Sequence, residues 1–158
     1  MSRRVLVLNG VNLGRLGRRE PQLYGSTTHA ELAQSLVALG RDLGLEVEVR
    51  QTDAESELVG WLAEAADAAI PVVINPGAWS HYSYAIADAV RQAPLVVEVH
   101  LTNIHAREEF RSHSVVSPAV RGVVAGLGTM GYELALRYIS ACPELSGEGS
   151  ERAAGAER

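Results

Sequence analysis

Five short apolar runs, each followed by a helical pattern or turn, constrain the fold of this sequence more than any other feature. The runs predict strands at residues 4–8, 46–51, 72–74, 95–101 and 122–126. The helical patterns lie at residues 29–43, 55–68, 80–92, 106–110 and 130–141. This alternation predicts a single α/β domain over residues 1–142, built on a doubly wound parallel sheet with helices on both faces.

Right-handed crossovers leave few topologies for such a chain, and we predict the flavodoxin-like strand order 2-1-3-4-5. In this order the winding reverses between the first and third strands, and ligands bind at the carboxyl ends of the strands beside that point. We therefore expect segments 9–25, 75–81 and 98–102 to lie together.

Local signals support the first two helices. Thr28 and Glu31 have the spacing of a capping box at the start of the first helix. Leu58, Leu62 and Ala66 share one face of the second helix, and we expect them to point inward.

The segment 9–25, NGVNLGRLGRREPQLYG, shows neither a helical nor a strand period. Long segments of this kind are uncommon inside compact domains and are usually functional. This one carries Arg15, Arg18, Arg19 and Tyr24 among glycines, so we predict a mobile lid at residues 12–25.

Polar residues also gather after the third strand and on the fourth. His81 and Asp88 lie seven residues apart, so on one continuous helix they would share a face; alternatively, His81 is simply exposed beside a turn. Glu98 and His100 point to the same side of a strand, where a carboxylate fixes the tautomer of an imidazole and favours its protonated form. The alternative for this pair is an exposed strand edge.

Arg107 and Arg111 follow the fourth strand as i,i+4 neighbours. Arginine suits bidentate binding of a carboxylate, but these two residues could instead form subunit salt bridges with Glu108 and Glu109. The histidines in and after this strand do not have the spacing of metal ligands: His100, His105 and His113.

The segment 126–131, GLGTMG, matches the G-x-G-x-x-G pattern of dinucleotide sites. It opens the last helix, however, and no later strand supplies the acidic ribose ligand expected about twenty residues on. Close packing of helix on strand explains the glycines better. A flavin- or nucleotide-binding module is the alternative function, although residues 9–16 lack the hydroxyls of a flavin phosphate loop. A receiver domain is disfavoured because Asn75 occupies the phosphoacceptor position.

Composition excludes several classes of function. All 14 basic residues are arginine, so the chain can form neither a lysine Schiff base nor a Walker phosphate loop. A net charge of −5 without a basic stripe argues against nucleic acid, and no apolar run approaches the length of a membrane span. The single Cys142, interpreted as a structural thiol, fits a cytoplasmic protein. We expect residues 143–158 to form a disordered tail.

Four segments together resemble type II 3-dehydroquinate dehydratases: NGVNLGRLGRREPQLYG, NPGAWSHYSYAIADA, EVHLTNIHAREEFR and GVVAGLGTMGYELAL. The similarity covers residues 4–140 in matching order. Val11 replaces a usual proline and Ser56 a common glycine, which affects only local backbone shape. The resemblance implies a flavodoxin-like dodecamer that converts 3-dehydroquinate to 3-dehydroshikimate without metal or cofactor, for aromatic biosynthesis or quinate breakdown.

The resemblance also implies roles for individual residues. Tyr24 would be the general base, Arg19 would hold it as tyrosinate, Asn12 would help stabilise an enolate, and His100 would protonate the leaving hydroxyl. The substrate hydroxyls and carboxylate would be bound by Asn75, His81, Asp88, Arg111 and the backbone of Leu101 and Thr102. The reaction removes a proton α to a ketone and a hydroxyl β to it, so it needs a base, an oxyanion stabiliser and an acid.

Overall fold

A parallel five-stranded sheet forms the centre of the computed structural model, which describes residues 2–142 and 145. The strands are β1 (Arg3–Asn9), β2 (Leu45–Gln51), β3 (Val72–Asn75), β4 (Val96–His100) and β5 (Gly122–Ala125). They pair in the order β2-β1-β3-β4-β5, and every pairing is parallel. The predicted α/β class and strand order are therefore confirmed.

The helices cover both faces of this sheet. They are α1 (Pro21–Tyr24), α2 (His29–Asp42), α3 (Glu55–Asp67), α4 (Tyr84–Val90) and α5 (Met130–Ala141). Alternate residues of β1 enter opposite cores because side chains alternate along a strand. Val5 and Val7 pack with α2 and α5 on one face, and Leu6 and Leu8 pack with α3 and α4 on the other.

The predicted capping box of α2 is confirmed, and the predicted apolar face of α3 differs at one position. In the capping box of α2, the Thr28 hydroxyl accepts from the Glu31 N–H and the Glu31 carboxylate accepts from the Thr28 N–H. On α3, the buried alanine is Ala65 rather than the predicted Ala66. Position 65 lies seven residues after Leu58, so it completes the apolar stripe about two turns along the helix.

The third predicted helix, at 80–92, is wrong as a continuous element. A 3₁₀ turn at Gly77–His81 ends first, and α4 begins anew at Tyr84. The Ser83 hydroxyl caps α4 by accepting from the Ile86 N–H. His81 and Asp88 therefore do not share one helix face.

The loop after β1 is more ordered than its sequence suggests. It contains a 3₁₀ turn at Leu13–Arg15 and the single helical turn α1. Further 3₁₀ turns follow β4 at Ile104–Ala106, Glu109–Ser112 and Ser117–Ala119. Turns of three or four residues are too short to produce a helical or strand period in the sequence.

Cys142, after α5, and Trp79, after β3, are both buried. Cys142 is a buried member of the core, as expected of a structural thiol. Trp79, 5% exposed, lies in the turn after β3, where a Cβ placed on Gly10 would come within 3.0 Å of its ring.

The predicted tail at 143–158 falls outside the described residues except for Leu145. None of the described helices combines the length and apolar character of a membrane span.

Candidate active site

A cavity open to solvent lies at the carboxyl ends of β1, β3 and β4, as the strand order requires. Seven of the predicted site residues line it: Asn12, Arg19, Tyr24, Asn75, His100, Leu101 and Arg111. Arg107, which the sequence offered either as a carboxylate binder or as a salt-bridge partner, also lines the cavity. Other lining residues were not predicted as part of the site: Val11, Leu13, Leu16, Gly77 and Ala78. His81, Thr102 and Asp88 are not among the lining residues.

Tyr24, at the end of α1, has its hydroxyl held by an arginine. The Arg107 Nη1 donates to the Tyr24 hydroxyl oxygen at 2.7 Å. The guanidinium groups of Arg107 and Arg19 also lie 5.4 and 5.6 Å from the centre of the tyrosine ring. Two cationic side chains therefore lie against Tyr24 in the cavity.

The residue that contacts the tyrosine hydroxyl is therefore Arg107, whereas sequence reasoning assigned that task to Arg19. Arg19 lies 3.8 Å from the Glu20 carboxylate and is exposed. Arg107 is 83 residues from Tyr24 in the chain, so no local spacing could reveal the contact. The helical spacing of Arg107 and Arg111 was visible, but it did not show which of the two would reach the tyrosine.

His100, at the end of β4, faces a buried carboxylate. Its Nε2 lies 3.6 Å from Glu98 Oε1, longer than a normal hydrogen bond, and this buried nitrogen has no hydrogen-bond partner. The hydroxyls of Ser114 and Ser117 both donate to Glu98, which is fully buried. The predicted alternative of an exposed edge pair is therefore wrong.

The electrostatic state of Glu98 follows from these neighbours. Burial acts to raise the pKa of Glu98, but the His100 imidazole and the two serine hydroxyls outweigh burial and hold that pKa below its usual value. Glu98 is therefore a carboxylate at neutral pH, 3.6 Å from the Nε2 of His100.

His81 lies just outside the cavity lining, beside the loop that carries Arg111. Its Nδ1 lies 2.8 Å from the carbonyl oxygen of His113, and a carbonyl can only accept, so Nδ1 carries the hydrogen. Burial is the main reason that the pKa of His81 lies below its usual value. A neutral ring protonated on Nδ1 leaves Nε2 as an acceptor for a ligand hydroxyl.

Asn12 starts the loop in a left-handed conformation with φ 67°. Its N–H donates to the Asp53 carboxylate at 2.8 Å, and the Gln51 amide donates to the same oxygen at 3.1 Å. Residues after β2 therefore anchor the start of the loop over the cavity.

The remaining predicted residues are placed as follows. Arg111 donates to Glu108 at 2.8 Å, so this pair forms within the chain. The Thr102 hydroxyl lies 3.5 Å from Arg107. Asp88 is exposed on α4, apart from the cavity.

The glycine motif at 126–131 uses its backbone N–H groups for hydrogen bonds within the protein. The N–H groups of Gly126 and Gly128 donate to the carbonyls of His100 and Leu101. A Cβ on Gly131 would lie 3.2 Å from Val99, which explains that glycine by close packing of α5 on the sheet. These contacts disfavour a dinucleotide site and help to fix the end of β4.

The fold and site define a parallel α/β protein with a ligand cavity at its switch point, lined by three arginines that suit an anionic small molecule. The family model described as "Dehydroquinase class II" matches residues 3–140. The chain therefore belongs to the class II dehydroquinase family, and it is an enzyme of the dehydroquinate dehydratase class.

Individual relatives agree over nearly their whole lengths. A 3-dehydroquinate dehydratase from Salinispora tropica is 63% identical over 87% of this chain and 97% of its own. One from Thermus thermophilus is 55% identical over 92% and 99%. The crystal structure of a type II dehydroquinase from Propionibacterium acnes has a TM-score of 0.88 at 62% identity, covering 90% of this chain and 99% of that one.

Proposed function

We propose that this protein dehydrates 3-dehydroquinate to 3-dehydroshikimate through an enolate, in the shikimate pathway or in quinate breakdown. One observation carries the proposal: a single cavity is lined by Tyr24, whose hydroxyl is bonded to Arg107, and by His100 at the end of β4, which faces Glu98. A phenol and an imidazole placed in this way are the candidate base and acid that a dehydration next to a ketone requires.

In the proposed first step, the Tyr24 phenolate takes the proton from the carbon beside the ketone. The electron pair of that C–H bond moves toward the ketone oxygen and forms an enolate. Asn12, which lines the cavity at the anchored start of the loop, is positioned to stabilise this oxyanion.

In the second step, the enolate reforms the ketone and creates the carbon–carbon double bond as the β-hydroxyl leaves. His100 gives its proton to that hydroxyl, so water departs rather than hydroxide. Solvent then reprotonates His100 and accepts the proton from Tyr24. Glu98 stabilises the imidazolium before transfer and holds the ring in place.

Substrate binding is assigned to the cationic and amide groups around the reacting atoms. The Arg111 guanidinium lines the cavity and donates to the Glu108 carboxylate. Because guanidinium groups bind carboxylates well, Arg111 is assigned to the substrate carboxylate. The amide of Asn75, the His81 acceptor nitrogen, and the backbone of Leu101 and Thr102 are assigned to hydroxyl and carboxylate contacts. Asp88 stays assigned to the substrate only through the family resemblance.

The primary test of the activity is absorbance at the wavelength of the conjugated enone after 3-dehydroquinate is added to the purified protein. We expect absorbance to rise with time in proportion to enzyme. A preparation that is folded but produces no enone would contradict the proposed function.

We further propose that the reaction proceeds without a metal ion or an imine. The absence of lysine from the sequence supports this, since a lysine Schiff base cannot form. The rate should be unchanged after incubation with a chelator, and borohydride added with substrate should not inactivate the enzyme. Inactivation by either reagent would contradict this part of the proposal.

The lid at residues 12–25 is proposed on the contrast between its two ends. At the start, Asp53 anchors Asn12. At the far end, Gly25 has φ 81° and open space where a Cβ would lie. We expect hydrogen–deuterium exchange across 17–25 to slow when product is bound, and equal exchange with and without product would contradict a lid.

A homo-oligomer, which we propose to be the dodecamer of the family resemblance, is supported by an apolar surface on α5. Met130, Leu134 and Tyr138 are spaced four residues apart and are 40–52% exposed. Val123 of the edge strand β5 is 43% exposed. Apolar surfaces of this kind usually mark contacts with a partner. Sedimentation velocity at micromolar protein should show a large assembly, and a monomer would refute it.

We place the protein in the cytoplasm, because its single cysteine is a buried thiol suited to a reducing compartment. Fractionation of its native cells tests this location.

A further inference from the structure

A chain of hydrogen bonds runs beneath the cavity and ends at Asn75. The Gly77 N–H donates to Asn75 Oδ1 at 3.1 Å, and Asn75 Nδ2 donates to the Tyr132 hydroxyl at 2.9 Å. The Tyr132 hydroxyl donates to Asn9 Oδ1 at 2.6 Å, and Asn9 Nδ2 lies 3.1 Å from His29 Nε2. Asn9 and Tyr132 are fully buried, and Asn75 is 4% exposed.

One group fixes the direction of every bond in this chain. The backbone N–H of Gly77 can only donate, so the oxygen of the Asn75 amide must face it and the amide nitrogen must face Tyr132. Tyr132 then accepts from Asn75 and donates its own hydrogen to Asn9. The nitrogen of Asn9 is left to donate to His29, whose Nε2 must therefore be unprotonated.

The far end of the chain agrees with this direction. Burial lowers the pKa of His29 from its usual value of 6.5, which favours the neutral ring that the chain requires. His29 is also the first residue of α2, where the helix dipole disfavours a positive charge. A protonated His29 would oppose the donor nitrogen of Asn9.

We propose that Tyr132 is a positioning residue that holds the Asn75 amide in the substrate cavity in the orientation set by the Gly77 N–H. The inference rests on the proposed function, in which Asn75 contacts the substrate. With its nitrogen bonded to Tyr132 and its oxygen bonded to Gly77, the amide offers the cavity its remaining N–H as a donor to a substrate oxygen. If the amide turned over, its oxygen would meet an anionic substrate and repel it.

Tyr132 suits this task because its ring is locked in the core. It belongs to α5, packs between α2 and the sheet, and lies 57 residues from Asn75 and 123 from Asn9 in the chain. Burial raises the pKa of Tyr132, so its hydroxyl stays protonated at neutral pH and can donate to Asn9.

The test is Tyr132→Phe, which keeps the ring and removes the hydroxyl. We expect KM for 3-dehydroquinate to rise roughly two- to tenfold, the value of one neutral hydrogen bond, with kcat nearly unchanged. Tyr84→Phe is the matched control, because it removes a tyrosine hydroxyl at a 73% exposed position on α4, outside the cavity lining. It should leave both constants unchanged.

A double-mutant cycle with Asn75→Ala separates positioning from general loosening of the core. If Tyr132 acts through Asn75, Tyr132→Phe will not raise KM further in the Asn75→Ala background. An equal rise in both backgrounds, or an unchanged KM in the single variant, would overturn the inference. If Tyr132→Phe does not fold, Asn9→Ala replaces it, because it keeps Tyr132 and removes the acceptor of its hydroxyl together with the donor to His29, and the same outcomes apply.

Crystal structures of the wild type and Tyr132→Phe give a readout that does not depend on activity. The variant leaves the Asn75 carboxamide held by the Gly77 N–H without the Tyr132 hydroxyl, so the inference expects the carboxamide to move from its wild-type position, and a superimposable carboxamide would overturn it. If the wild type does not convert 3-dehydroquinate, the proposed function fails, and these structures still decide whether Tyr132 orients Asn75.

Discussion

The two proton-transfer groups of the cavity are built in different ways. Tyr24 lies on a single helical turn in a loop, is partly exposed, and depends on the long side chains of Arg107 and Arg19. His100 lies at the end of a central strand, is 6% exposed, and faces the fully buried Glu98.

Because of this difference, variants at Tyr24 and at His100 should have different effects on the stability of the protein. Removing the Tyr24 hydroxyl disturbs a loop contact, so it should affect turnover alone. Removing the His100 ring leaves a buried carboxylate with one fewer neighbour, so it should affect turnover and stability together. Each prediction below tests one part of this contrast.

The largest effect is expected for Tyr24→Phe, which should reduce kcat by ~10²–10⁴-fold because it removes the general base. The melting temperature should stay within experimental error of the wild type, since the hydroxyl bond seen in the described part of the chain is a loop contact with Arg107. Tyr82→Phe, at a 60% exposed position outside the cavity lining, is the matched control. Near-normal turnover of Tyr24→Phe would exclude Tyr24 as the base.

His100→Ala should lower the rate of dehydration by about 10²-fold while the first proton transfer continues. In deuterated water, mass spectrometry should show the substrate exchanging its α proton while little product forms. The free energy of unfolding should also fall by about 1–3 kcal/mol, because Glu98 loses its facing imidazole. Loss of exchange along with dehydration would assign His100 a different role.

The two arginines beside Tyr24 should contribute unequally to kcat/KM. Arg107→Ala removes a charged hydrogen bond worth about 1.5–3 kcal/mol, so kcat/KM should fall by about ten- to a hundredfold. Arg19→Ala removes a cation near the ring worth about 0.5–1 kcal/mol, so the loss should be only a few-fold.

The comparison of the two variants also tests whether the loop keeps its position when substrate binds. A larger loss of kcat/KM for Arg19→Ala than for Arg107→Ala would mean that the loop rearranges around the substrate and exchanges the two arginines.

The smallest effect is expected in the acid dependence of stability. Burial acts to raise the pKa of Glu98, but His100 and the serine hydroxyls hold it below the usual 4.5. A carboxyl group whose pKa is depressed by folding stabilises the native state above its usual pKa, and that contribution is lost as pH falls through the folded-state pKa. Urea unfolding below pH 4.5 should therefore show a steeper decline for the wild type than for Glu98→Gln. Parallel curves would show that Glu98 titrates alike in the folded and unfolded chains.

Features encoded by local patterns were predictable from the sequence. The bounds of α5 at 130–141 and the capping box of α2 follow from periodicity and side-chain spacing. The strand order follows from the β/α alternation and the handedness of crossovers. This order brought most of the expected site residues to one cavity.

Features that depend on contacts between distant segments were not predictable. The break before α4 arises because Ser83 caps a new helix, although the apolar pattern runs through it. The Arg107 contact to Tyr24 and the Tyr132 contacts to Asn9 and Asn75 join segments that no spacing rule connects. An isolated tyrosine in an amphipathic helix has the same pattern whether its hydroxyl is idle or bonded.

The position of Trp79 gives the enzyme a built-in optical probe. The chain has two tryptophans, and the other, Trp61, lies on α3 with the Arg50 guanidinium 5.6 Å from its ring. Trp61→Phe would leave one indole, buried in the turn that carries His81 and packed against Gly10 at the start of the loop. Its fluorescence emission would then report ligand arrival and loop movement directly, on the millisecond scale of a stopped-flow instrument and without an added dye.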